Sequence, residues 1–140
     1  MATFETSREI HAPAEKVFAA FSDPARLARW WGPAGFRNTF AVCEFKTGGR
    51  WVFTMHGPDG KDYPNESMFS EIAPPKRVVI DHVVEPKFRL TIALSETAAG
   101  TFLTWSQAFE NAEVAKAIAP IVIPSNEQNL DRLVDEVLGA

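Results

Sequence analysis

The chain has 140 residues, a formal net charge of −4 and a single cysteine, Cys43. That length fits one domain, residues 1–140, able to bury a core without disulfides or a structural metal, and the sequence has no Lys/Arg cluster of the kind that nucleic acid or an anionic membrane surface requires. Hydrophobic residues at 46% and charged residues at 23% are ordinary for a globular domain. Eleven phenylalanines, four tryptophans and one tyrosine are not, and so much ring area calls for either a dense core or a lined cavity.

In chain order, residues 4–11 read as a strand. Ala12-Pro13 then opens a helix, because proline at the first helical position has its φ already set and needs no hydrogen-bond donor; Ala14, Val17, Phe18 and Phe21 follow at helical spacing. Ser22-Asp23-Pro24 repeats the device, with Asp23 as N-cap of a short helix ending near Trp30. The stretch RWWGPAGF, Arg29 to Phe36, therefore lies at a helix end. Adjacent helical residues point about 100° apart, so the expectation is that one of Trp30 and Trp31 enters the core and the other faces a cavity mouth or a partner.

From Phe36 the pattern changes to period two, over 36–46, 49–57, 62–73, 77–84, 87–96 and 100–110. The separators are turn signals, among them Thr47-Gly48-Gly49, Gly57-Pro58-Asp59-Gly60, Ala73-Pro74-Pro75-Lys76 and Glu85-Pro86. Connectors this short imply an antiparallel meander. The last section is helical again. Pro120 and Pro124 are expected to break its first part, with Ser125 and Gln128 forming a capping box for a fresh helix. In that helix Leu130, Leu133, Val134, Val137 and Leu138 make one apolar stripe, and Asp131, Arg132, Asp135 and Glu136 take the opposite, polar face.

The order predicts an α+β fold: a curved antiparallel sheet of about seven strands wrapped around a long C-terminal helix, with two short helices after the first strand. The N-terminus has no basic segment followed by an apolar run, and no stretch approaches the roughly eighteen apolar residues of a membrane span. A soluble cytoplasmic protein is the expectation.

Ala25-Arg26-Leu27-Ala28-Arg29-Trp30-Trp31-Gly32-Pro33, Gly35-Phe36, the turn Gly57-Pro58-Asp59-Gly60 and Leu130-Asp131-Arg132-Leu133 together resemble one family. It is the group related to activators of the heat-shock chaperone ATPase, within the START-like (SRPBCC) helix-grip superfamily, and the resemblance runs essentially from end to end. It implies a sheet gripping the C-terminal helix, with a tunnel between them that commonly holds an apolar ligand. Carriers, cyclases, hydrolases and chaperone regulators all use this scaffold. Where members often carry Gly-Trp just before the final helix, this chain has Ser125 and Asn126, after the unusually apolar segment Pro120-Ile121-Val122-Ile123-Pro124.

The site candidates come from strand faces. Trp51, Phe53 and Met55 share one face, and Met55 and Met68 would suit an adaptable lining because thioethers fill irregular gaps. On 100–110, Thr101, Leu103, Trp105, Gln107 and Phe109 share a face; Gln107 there meets either a ligand's polar group or water at the sheet end. Core packing and cavity lining need the same apolar residues, so the pattern alone leaves both open. His82 follows Val78 and Ile80 inward, which makes it the one candidate for a general base, against the alternative of a hydrogen-bonded core histidine. Trp31 and Phe36 are candidates for the tunnel entrance.

His11, His56 and His82 lack metal-site spacing, Cys43 has no basic neighbour that would make it a nucleophile, and no phosphate loop or dinucleotide fingerprint occurs. Neither a metal nor a cofactor is expected. The leading expectation is binding of an apolar or aromatic small molecule. The alternatives are an enzyme of cyclase or hydrolase type and a chaperone-binding module, as a monomer or a homodimer.

Overall fold

The computed structural model describes residues 2–139. The elements are β1 (Ala2–Ile10), α1 (Ala14–Ser22), α2 (Pro24–Trp30), β2 (Arg37–Cys43), β3 (Gly49–His56), β4 (Asp62–Ala73), β5 (Arg77–His82), β6 (Phe88–Glu96), β7 (Thr101–Phe109) and α3 (Ala112–Leu138). Every neighbouring strand pair is antiparallel, in the order β1-β7-β6-β5-β4-β3-β2. The meander read from the turn signals thus runs from β2 to β7, and β1 closes onto the last strand. Register shifts at Phe40/Val42 and Phe69/Glu71 insert the extra residues that bend a sheet. The result is the α+β helix-grip layout, a curved sheet under one long helix.

One face of the sheet is buried. β7 alternates strictly, with Thr101, Leu103, Trp105, Gln107 and Phe109 inside, and β3 does so from Gly49 to Phe53. Much of the aromatic content closes into a circuit of rings: Phe21 to Trp30 to Trp31 to Trp51 to Phe69 to Phe45 to Phe18 and back to Phe21, with successive centroids 4.9–6.5 Å apart. Most of these pairs are edge-to-face, the arrangement the ring quadrupole favours. This circuit lies under α1 and α2 and fills that end of the molecule.

Both Trp30 and Trp31 are buried in this core, which helical spacing did not suggest, while Trp31 alone of the two also borders the space between sheet and α3. Helical geometry stops at Trp30, and Trp31 is already extended, at φ −67 and ψ 135. The ring of Trp30 turns back to Phe21 with its Nε1 donating to the Ala20 carbonyl at 2.9 Å, while Trp31 swings under the sheet toward Trp51 and Trp105. Gly32 follows at φ +94, where an added Cβ would lie 2.8 Å from the Met55 methyl, so the turn needs a residue without a side chain.

α3 corrects two expectations. It is one helix through Pro120 and Pro124, not two, and the capping box does not form: Gln128 Oε1 instead accepts from the Ala34 amide at 3.1 Å. The prolines sit four residues apart on the exposed side, so the carbonyls of Lys116 and Pro120 that lose their N–H partners are on the solvent side of the helix. Arg132 and Glu136, expected on the polar face, are drawn in. Arg132 Nη1 donates to the carbonyls of Trp31, Gly32 and Pro33 at 3.1, 2.9 and 2.9 Å, and Nη2 to those of Arg29 and Phe36 at 2.6 and 2.9 Å. Asn129 donates to the Trp30 carbonyl and Asn38 to those of Ala28 and Trp31. The carbonyls that a helix end leaves orphaned are in this way capped by side chains from α3 and β2. Glu136 lies beneath the same helix, paired with Arg26 at 3.0 Å and Arg29 at 2.9 Å.

Candidate functional site

Between Lys116 and Gln128, α3 contributes no buried residue, whereas Ala115 before it and Asn129, Leu130, Leu133 and Val137 after it are buried. Over that stretch the helix stands off the sheet and leaves a cavity of about 240 Å³. Its floor is the inward face of β3 to β7: Phe53 and Met55, Asn65 and Ser67, Ile80 and His82, Phe88 and Leu90, Trp105 and Gln107. Its roof is Ile121, Val122, Ser125, Asn126 and Asn129 of α3, and Trp31, Gly32 and Pro33 form one wall. An apolar cavity of about 150 Å³ is enough to take up benzene, so this space is large enough for a molecule of one or two rings.

Of the residues singled out from the sequence, Trp31, Phe53, Met55, His82, Trp105 and Gln107 come together around this cavity. The other four lie elsewhere. Trp51 is fully buried behind the lining, stacked between Phe53 at 4.2 Å and Phe69 at 5.2 Å. Phe109 is buried between Phe4 and Phe88, one ring behind the floor. Phe36 is half-buried beside Tyr63, outside the lining. Met68 points to the outer face, between Arg50 and Asp81 in register, and is 37% exposed; the inward residues of β4 are its neighbours Ser67 and Phe69, one position off in a period-two strand.

His82 is held at both ring nitrogens. Nδ1 is 2.8 Å from the Pro86 carbonyl oxygen and Nε2 is 2.8 Å from Asn65 Oδ1, while Asn65 Nδ2 donates to the Tyr63 carbonyl at 2.8 Å. Its ring stacks on Phe88 at 4.7 Å. Both ring nitrogens are thus taken up by groups of the protein itself. Gln107 Oε1 accepts from Asn126 Nδ2 at 3.0 Å, tying sheet to helix at the polar end. Trp105 is 2% exposed and its indole N–H has no partner in the protein.

Three carboxylates of β4 and β5, Glu66, Glu71 and Asp81, lie away from the cavity. Asp81 faces out, bonded to Ser70 and held by Arg89 at 2.8 Å; the Arg89 hydrogen bonds, with Ser70 adding to them against partial burial, keep its carboxyl below the usual range. Glu66 and Glu71 pair with Arg50 and Arg77 on the surface. Cys43 is half-buried, and burial pushes its thiol up, away from the reactive thiolate. Among the described residues no cluster of three or more His, Cys, Asp or Glu is placed to hold a metal, and no helix is long and apolar enough to cross a membrane.

The signal for the missed floor was present in the alternation of β4, where Asn65, Ser67 and Phe69 share a face. The roof had no such signal, because Ile121 and Ile123 are exposed and follow no buried stripe.

The architecture and the sequence agree with one family model, described as Activator of Hsp90 ATPase homolog 1-like protein, which matches residues 11–137. The chain belongs to this family. Among solved structures, a protein from Arthrobacter aurescens is 26% identical, covering 99% of this chain and 87% of that one, with a TM-score of 0.89. A protein from Nitrosomonas europaea is 20% identical over 96% of this chain and 93% of that one, with a TM-score of 0.86. An AHSA1-like protein from Aeromonas hydrophila is 19% identical over 99% and 93%, with a TM-score of 0.78. The latter two establish likeness of fold. The search of curated proteins gives no match.

Proposed function

We propose that this member of the family binds an apolar or aromatic small molecule in the cavity between the sheet and α3, as a soluble cytoplasmic protein. The observation that carries the reading is the cavity itself: the same helix that packs tightly from Asn129 onward has no buried residue from Lys116 to Gln128, above a floor that includes Phe53, Phe88 and Trp105 and beside the wall formed by Trp31. Natural interiors close such space unless something occupies it. The engaged nitrogens of His82 favour binding over the cyclase or hydrolase reading, which needs a base with a free lone pair.

A thermal-shift panel of fused-ring, phenolic, sterol and fatty-acyl compounds tests it. A ligand at about a hundred times its dissociation constant adds roughly 2.7 kcal/mol to stability. The volume favours one- and two-ring compounds over sterols. A flat response across the panel overturns the binding reading and leaves the chaperone-regulating role in the family's name, which a pull-down with the chaperone then addresses.

A further inference from the structure

The floor and the roof of the cavity meet in one pair of amides. Gln107 of β7 and Asn126 of α3 both line it, and Gln107 Oε1 accepts from Asn126 Nδ2 at 3.0 Å. A carboxamide has a donor end and an acceptor end, so this bond engages only half of each group. Gln107 Nε2 and Asn126 Oδ1 are left without a partner among the described residues. Neither is sealed off: the side-chain atoms buried without a partner are Asn38 Oδ1 and the indole nitrogens of Trp51 and Trp105. Gln107 is on the inward face of β7 and only 8% exposed, so the space that its free amide nitrogen reaches is the cavity it lines.

The pair therefore offers one donor and one acceptor, the first from the floor and the second from the roof. Turning both amides over keeps the bond between them and again leaves one donor and one acceptor, so the complementary group is the same either way. The other polar groups of the lining make no such demand. His82 and Asn65 are bonded to each other and to backbone, Asn129 donates to the Trp30 carbonyl, and the hydroxyls of Ser67 and Ser125 rotate to give or to take a hydrogen bond. The lining includes no Asp, Glu, Lys or Arg, so a charged ligand would lose its hydration without gaining a counter-ion.

We propose, resting on the binding reading above, that the ligand is an uncharged one- or two-ring molecule carrying a hydroxyl, and that this hydroxyl completes the amide pair by accepting from Gln107 Nε2 and donating to Asn126 Oδ1. The rings lie against Phe53, Phe88 and Trp105. A hydroxyl is the smallest group that fills both roles. A carbonyl or ether oxygen only accepts and leaves Asn126 Oδ1 unpaired, and a carboxylate sets its own negative oxygens against that acceptor. Water drawn into the cavity would meet the same two groups, and a ligand that displaces it without replacing both bonds loses affinity.

The test is isothermal titration with four probes of one skeleton: naphthalene, 2-naphthol, 2-methoxynaphthalene and 2-naphthoate. The methoxy compound keeps the acceptor oxygen and lacks the donor, so 2-naphthol should bind roughly fivefold to tenfold more tightly than it does, and the carboxylate should bind most weakly. In the double variant Gln107→Leu, Asn126→Ala the ratio of naphthol to methoxynaphthalene should fall by about the same factor, a comparison in which the hydration of each probe cancels. Naphthalene, which uses neither amide, should bind the variant at least as well as it binds the wild type. In the wild-type protein, 2-naphthol and 2-methoxynaphthalene should move a side-chain amide proton of the Gln107–Asn126 pair downfield relative to naphthalene; this readout decides the matter if the variant fails to fold. A methoxy compound that binds as tightly as the naphthol, a naphthol preference that survives the double variant, tightest binding of the carboxylate, or amide protons that respond to all three neutral probes alike would each overturn the inference while leaving the cavity a binding site. Failure of all four probes to bind overturns both.

Discussion

The two halves of α3 share one helix and one sheet beneath them, yet they do opposite things. From Asn129 to Val137 the helix is tied down: Leu130, Leu133 and Val137 are fully buried, and Arg132 and Glu136 are drawn into the end of α2. From Lys116 to Gln128 it has two prolines, exposes Ile121 and Ile123, and spans a cavity. Packing and vacancy are thus divided along a single element, and the anchored half is what allows the other to stand clear without detaching.

The largest expected contrast is between Leu133 and Ile121, both aliphatic and both on α3. Leu133→Ala empties a fully buried site and should cost about 2–5 kcal/mol in chemical denaturation. Ile121→Ala removes a side chain that is 68% exposed and should stay within about 0.5 kcal/mol, while weakening ligand binding because Ile121 lines the cavity. Comparable stability losses at the two positions would mean that the halves are packed alike.

Next in size is Arg132→Met, which keeps the aliphatic stem and removes the guanidinium. Five carbonyls from Arg29 to Phe36 lose the arginine's hydrogen bonds, and of these Trp31 keeps Asn38 and Pro33 keeps the Phe36 amide; burial already lowers the pKa of this arginine. The expected loss is about 2–3 kcal/mol, since several of the freed carbonyls can turn to water. The same change loosens the wall formed by Gly32 and Pro33, so ligand affinity should fall with it. Lost stability with unaltered affinity would show that the anchored end does not shape the cavity.

Much of this was legible in the sequence, and the exceptions have a common cause. The meander, the capped start of α2 and the inward sets on β3 and β7 follow from local periodicity and turn chemistry, which short-range physics determines. What escaped depends on partners distant in sequence. Arg132 and Glu136 look like solvent residues on a helical wheel, and only the arrival of α2 about a hundred positions upstream turns them inward. Trp31 violates helical spacing because the helix ends one residue earlier than both rings suggest. Pro120 and Pro124 read as breakers, but on the solvent side of a helix that is fixed elsewhere their missing donors leave only exposed carbonyls. In the cavity, Met68 was misplaced through its suitability as a lining residue, when the phase of β4 set by Ser67 and Phe69 sends it outward.

Glu136 gives the anchored half a pH dependence. Hydrogen bonds from Arg29, then from Arg26, hold its carboxyl below the ordinary value against the opposing effect of partial burial. A depressed folded-state pKa contributes stability that is fully present above the unfolded value of about 4.3 and is lost as pH falls through the folded one. Melting temperature should therefore decline below about pH 4.5, and Glu136→Gln should flatten part of that decline while lowering stability at neutral pH. An identical acid slope in the variant would remove Glu136 from the account.

The smallest effect concerns the prolines, and it asks why the open half is open. If the missing donors hold the helix away from the sheet, the double variant Pro120→Ala, Pro124→Ala should let it settle and shrink the cavity, so that two-ring ligands bind more weakly. If the cause is instead that no residue between Lys116 and Gln128 is packed into the sheet, the helix regains its hydrogen bonds in place. Restored hydrogen bonds then outweigh the added freedom of the unfolded chain, stability rises by about 1 kcal/mol, and affinity is unchanged. The second outcome is expected, because both prolines are on the exposed side and the roof of the cavity is made by Val122, Ser125 and Asn126. A titration of the variant with a two-ring ligand beside its denaturation curve separates the two, since the first cause predicts that stability and affinity change in opposite directions and the second that only stability moves.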